Sequence, residues 1–231
     1  MFEDIKRGYY TVLLMEATNI LALVAYARKR TENTIYLFLL ALTSLIQTLF
    51  IQYVDLDLTL DSPVFNRLTN ISIYFYLAFE ITFCLSFMRT CIRNEPVKGI
   101  LSLSNIIFVI AIVYYLISYP TSRKIVSNLG IIEGFIIITP GLYYFYELFR
   151  HPSYKSILHN SEFWAITGML FLFSLITPFF LALDHLKRDY PLLEKKLYII
   201  NNIAYSIMFT MFAIAILCSR KPKGQTSNSL S

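Results

Sequence analysis

The chain has 231 residues, of which 56% are hydrophobic and only 15% charged, with a mean hydropathy of +0.57 and a net charge of +5. Soluble domains carry about 25% charged residues, so an ordinary soluble domain is excluded. Seven apolar runs and their short connections take up nearly all of the chain, which leaves no surface for nucleic-acid binding and places the positive charge in connections that face anionic lipid headgroups.

Each run has roughly 18 to 23 residues, and at about 1.5 Å rise per residue it spans a hydrocarbon core of about 30 Å. The first covers 10–27. Lys6 and Arg7 precede it and Ala25-Tyr26-Ala27 mimics a cleavage site. Its length, its Glu16 and Asn19, and the Arg28-Lys29-Arg30 that follows instead predict a transmembrane helix. The second run, 34–53, carries Gln47, and the third, 71–88, carries Tyr76, Glu80 and Cys84 at four-residue spacing along one stripe. The fourth is 100–119; its "IIFVIAIVYYLI" lacks the strict alternation of a membrane strand. The fifth, 128–148, places Gly130 and Gly134 around Glu133 in a G-x-x-x-G spacing that lets another helix approach closely. Pro140-Gly141 follows in the same run, and Thr177-Pro178 lies in the sixth, 163–183; Pro140, Gly141 and Pro178 read as a kink or hinge in each helix. The seventh run, 197–218, begins with Asn201, Asn202 and Tyr205, and 219–231 reads as a mobile cytoplasmic tail. The prediction is an all-α, polytopic membrane protein with a single seven-helix bundle over 1–218.

With the N-terminus outside, eleven of the 20 Lys and Arg fall on the inner side and nine on the outer side. The compact basic triplet after the first run and the acidic second connection (Asp55, Asp57, Asp61) support the same orientation, N-terminus outside and C-terminus cytoplasmic. Glu16, Glu80, Glu133, Asn201, Asn202 and Tyr205 then share a slab roughly 7 to 14 Å below the outer surface. An ionised carboxylate in hydrocarbon costs several kcal/mol. The expected arrangement turns Glu16, Asn19, Glu80, Glu133, Asn201, Asn202 and Tyr205 toward a ligand-binding polar cavity; the alternative is that they are interhelical glue.

Catalysis is not expected. None of the seven runs contains the lysine that a retinal Schiff base needs, and no Walker, H-E-x-x-H or G-x-S-x-G motif occurs. His151, His159 and His185 fall on opposite sides of the membrane, so no metal site is expected, and three scattered cysteines form no disulfide framework. No cofactor is implied. Glu147 and Arg150, one turn apart, predict a surface ion pair.

"NSEFWAITGMLFLFSLITPFF" (160–180) followed by "LYIINNIAYSIMFTMFAIAILC" (197–218) resembles small bacterial seven-helix membrane proteins. The likeness rests on Phe163-Trp164, on Gly168 four residues after the tryptophan, and on an asparagine near the start of the seventh run. In helix count and size these proteins are similar to the N-terminal seven-helix sensory modules of histidine kinases. The resemblance implies a bacterial inner-membrane protein and carries over no functional residue. The expected function is a receptor-like sensor with an outward-facing polar pocket, signalling through a separate partner such as a kinase. The alternatives are a small transporter or ion-coupled carrier using the intramembrane glutamates, and a structural subunit of a membrane complex.

Overall fold

A computed structural model describes residues 2–57, 63–120, 123–150, 157–189 and 191–219. Seven helices account for most of them: α1 (Phe2–Arg28), α2 (Ile35–Asp57), α3 (Pro63–Cys91), α4 (Glu95–Ser118), α5 (Arg123–Arg150), α6 (Ser161–Asp189) and α7 (Pro191–Cys218). Short 3-10 turns precede α2 and α6, and no strand occurs among the described residues. Of the expected tail, only Ser219 is among the described residues.

Proline marks several helix starts, because the missing N–H costs nothing in a first turn. Pro63 opens α3, Pro96 lies in the first turn of α4, and Pro191 opens α7. At α6 a side chain does the same work: Asn160 Oδ1 accepts the Glu162 backbone N–H at 3.0 Å, while its amide donates to the Tyr144 hydroxyl. Within the membrane-length stretches, Pro140 and Pro178 each sit inside a continuous helix. Both follow a threonine whose hydroxyl folds back onto the carbonyl four residues earlier, Thr139 onto Phe135 and Thr177 onto Phe173. These bonds lie in the turn that the proline interrupts.

α3 is longer than its apolar run suggests. The polar stretch 66–70, expected in a connection, is helical, because Pro63 starts the helix a turn earlier and polar side chains are tolerated in a terminal turn. Glu80 sits in the middle of the apolar span Arg67–Cys91.

Helix packing follows from which faces are apolar and small. α1 packs between α2 and α7, α7 against α6, α6 against α5, and α3 against α2, α4 and α5. Six helices thus close a ring, and α4 lies outside it against α3. Half of the apolar window of α3 is buried, the highest share of the seven, against 17% for α4. Tyr74, Ile81 and Phe87 of α3 fill the interior with Leu37, Ile137, Ile166, Phe209 and Phe212. The exterior is equally apolar: Ile106, Ile110 and Ile117 of α4 are 56, 63 and 76% exposed. A soluble protein rarely shows so extended an apolar surface. All seven helices are long and apolar enough to cross a membrane.

Glycines set the closest contact. A Cβ on Gly134 would overlap Thr177 Oγ1 and lie 3.1 Å from Thr177 Cβ, so α5 and α6 meet there with almost no side chain between them. A Cβ on Gly130, one turn earlier, would stand 2.8 Å from the Phe180 ring. The α5 glycine pair therefore seats α6 at the level of Glu133.

Candidate functional site: an acidic cluster between α3, α5 and α7

Four-residue spacing on α3 aims Tyr76, Glu80 and Cys84 into the ring, and all three are buried. The Tyr76 hydroxyl donates to Glu80 Oε1 at 3.0 Å. Tyr205 reaches the same carboxyl from α7, its hydroxyl donating to Oε1 at 3.3 Å and to Oε2 at 3.5 Å. From α5, Glu133 comes within electrostatic reach of Glu80, and Cys84 is within reach of both carboxyls. Glu80 is 1% exposed and Glu133 2%, so both acids are shut away from solvent.

Two features mark this cluster together. Glu133 Oε1 is buried and has no hydrogen-bond partner. Leaving a buried acceptor unpaired costs about 1–3 kcal/mol, and more when it is charged. Secondly, residues 71–88, 128–148, 163–183 and 197–218 contain no lysine, arginine or histidine, so none of these stretches offers the two acids a counter-ion. The arrangement is a buried, acceptor-rich cluster in which Glu133 Oε1 has no donor.

Comparison with protein families, with curated proteins and with solved structures finds no match for this chain. Function has to be argued from the geometry.

The remaining candidates lie elsewhere in the bundle. Glu16 is half-buried between α1 and α2, where its Oε1 accepts the Gln52 amide at 2.8 Å. Asn19 is fully buried and donates to Ser44 Oγ on α2 at 3.4 Å, leaving its own Oδ1 unpaired. Asn202 donates to Thr11 Oγ1 at 3.3 Å and ties α7 to α1, and Asn201 beside it is half-buried. Ser206 and Thr210, which continue the Asn202 stripe, fold their hydroxyls back onto the carbonyls of Asn202 and Ser206. The structure thus brings Glu80, Glu133 and Tyr205 together with Tyr76, and leaves Glu16, Asn19 and Asn202 as bonds between neighbouring helices. Of the hinge candidates, Gly141 packs against Leu170 of α6, with room too small for a Cβ.

Several polar contacts had no signal in the sequence. Thr82 of α3 donates to Asn105 Oδ1 of α4 at 3.1 Å, and the Tyr74 hydroxyl of α3 donates to the Tyr119 carbonyl at the end of α4 at 3.3 Å; both bonds tie the peripheral helix to α3. At the end of the bundle where α1 and α7 finish, Lys29 Nζ donates to the Leu217 carbonyl, and Thr31 Oγ1 bonds Ser219 Oγ at 2.8 Å. A cation on the last carbonyls of a helix is favourable because those groups lack intrahelical donors. At the same end, Arg150 donates to the Tyr146 hydroxyl at 2.9 Å, and Glu147 accepts the Arg93 backbone N–H at 3.3 Å. These contacts replace the ion pair expected between Glu147 and Arg150, because the i,i+4 direction carries the arginine over the Tyr146 ring.

Proposed function

We propose that the protein is a multi-pass inner-membrane sensor, N-terminus outside and C-terminus cytoplasmic, whose ligand engages the Glu80–Glu133 cluster. The observation that carries this reading is the buried, unpartnered Glu133 Oε1 beside a second carboxyl with no basic side chain in the surrounding segments. The chemistry complementary to it is a small molecule that presents a positive charge or an N–H donor. An amine seated between Glu80 and Glu133 supplies the missing donor and changes what Tyr76 and Tyr205 bond. Tyr205 is on α7, and the far end of α7 is held by Lys29 and Thr31 of the first connection. A shift of α7 at the cluster therefore reaches the basic inner loop, where a separate partner such as a kinase would respond.

A second reading has its own support. Glu80 sits at the middle of its span, the depth at which transporter sites are built, and this favours an ion-coupled carrier. A carrier must open the same acids to both aqueous phases in turn; a sensor need not.

The test uses purified protein and a panel of primary and quaternary ammonium compounds. A ligand that binds only the folded state raises stability by about 2.7 kcal/mol at a hundredfold excess over its Kd. At least one amine is expected to raise the thermal midpoint, and Glu133→Gln should abolish that rise without unfolding the protein. In liposomes the same protein should carry no proton or cation flux. Flux that disappears in Glu80→Gln would establish the carrier reading, and no stabilisation by any amine would remove the assigned ligand class.

A further inference from the structure

A second feature lies on the outer surface of the ring. Between α2 and α3 runs a groove of about 550 Å³, within the roughly 300–1,000 Å³ range of small-molecule sites. Its walls include Ile46, Gln47 and Phe50 from α2 and Ser72, Phe75 and Phe79 from α3. Ile46, Phe75 and Phe79 are 57, 54 and 47% exposed, so the groove opens sideways, on the face that lipid would cover. The hydroxyls on its walls are turned away from an occupant: Thr43 bonds the Leu39 and Leu40 carbonyls, and Ser72 bonds the Thr69 carbonyl. What remains for an occupant is almost entirely hydrocarbon.

Length and charge select the occupant. The α3 wall extends from Leu68 to Phe79, about 16 Å at 1.5 Å per residue. That is close to half of a hydrocarbon core of about 30 Å, the depth of one leaflet. Ile71, Phe75 and Phe79 form the stripe that faces the groove, and Arg67, exposed, is the next residue up that stripe, at the end of the apolar span. A guanidinium at the headgroup level above a chain-length apolar groove matches a phosphate with a chain below it. Tyr76 forms part of the groove wall while its hydroxyl holds Glu80.

We propose that the α2–α3 groove binds one acyl chain of an anionic membrane phospholipid, with its phosphate at Arg67 and the chain lying along Ser72, Tyr76 and Phe79. Through Tyr76 the bound chain positions Glu80, so the lipid acts as a structural co-ligand of the acidic cluster. The proposal rests on the membrane-spanning reading, and does not depend on the amine.

The test is direct binding, by native mass spectrometry, of phosphatidylglycerol and of phosphatidylcholine with identical chains to delipidated protein in detergent. Phosphatidylglycerol is expected to bind one to one, and about fivefold more tightly than phosphatidylcholine. Ser72→Trp, which fills the groove, should weaken both by about tenfold or more. Arg67→Gln, at an exposed position, should keep chain binding and lose the headgroup preference. Ile46→Trp repeats the occlusion from the opposite wall if Ser72→Trp does not fold. Unchanged binding in the occluded variant would overturn the groove as the site, and an unchanged preference in Arg67→Gln would overturn the phosphate contact. Glu80→Gln is expected to bind the lipid as the parent does, so loss of the amine reading leaves this one standing. A protein that does not fractionate with membranes at all would instead remove the reading on which both depend.

Discussion

Replacing Glu80 by leucine removes the acceptor shared by two buried hydroxyls. The Tyr76 hydroxyl stands 3.0 Å from Oε1 and the Tyr205 hydroxyl 3.3 Å. In the variant the hydroxyl of buried Tyr76 is left without the acceptor that it reaches in the parent. One orphaned buried donor costs about 1–3 kcal/mol, and for a chain of this size each kcal/mol moves the midpoint by about 2–4 °C. Glu80→Leu should therefore lower the thermal midpoint by about 2–12 °C. Glu80→Gln keeps an acceptor oxygen at nearly the same place and should stay within about 2 °C of the parent. The sharper arm is the triple variant Glu80→Leu, Tyr76→Phe, Tyr205→Phe. It removes donors and acceptor together, and an apolar replacement of a whole bonded set is close to neutral. Thermal unfolding in detergent, followed by circular dichroism, reads all three. Stability of Glu80→Leu equal to that of the parent, or a triple variant no better than the single, would refute the shared-acceptor geometry.

Gly134→Ala should destabilise by about 1–3 kcal/mol through overpacking on Thr177. Adding Thr177→Ala should recover part of that loss, because it removes the Oγ1 and Cγ2 that the new methyl group meets; equal losses in the single and double variants would place the close approach elsewhere. Lys29→Met removes the cation from the end of α7 and should cost about 0.3–1 kcal/mol, with faster hydrogen exchange in the last turn of α7 as the local readout. Single cysteines at Ser62 and Lys124 should label from outside intact cells and one at Asn33 only after permeabilisation; the opposite pattern would invert the bundle.

Seven spans were legible because length and hydropathy are one-dimensional properties. The stripe that Tyr76 shares with Glu80 was legible too, since four-residue spacing puts two side chains on one face of any helix; the bond between them was not. Glu16 shows where that kind of reading ends. Its estimated depth matches that of Glu80, but depth along a helix says nothing about which neighbour a face meets. α1 turns Glu16 to Gln52 of α2, and the shared slab resolves into separate pairs. Gly130 and Gly134 announced a close helix contact, yet only the packing identifies α6 as the partner and Thr177 as the residue at the contact.

The Thr11–Asn202 bond joins the first helix to the last, across 191 residues of chain. During synthesis at about 5–20 residues per second, the face of α1 that α7 covers waits on the order of 10 to 40 s for its partner to be made. Over that interval the face of α1 that carries Thr11 stands without α7 against it. A chain stalled before α7 is therefore an open ring with two uncovered edges, one on α1 and one on α6.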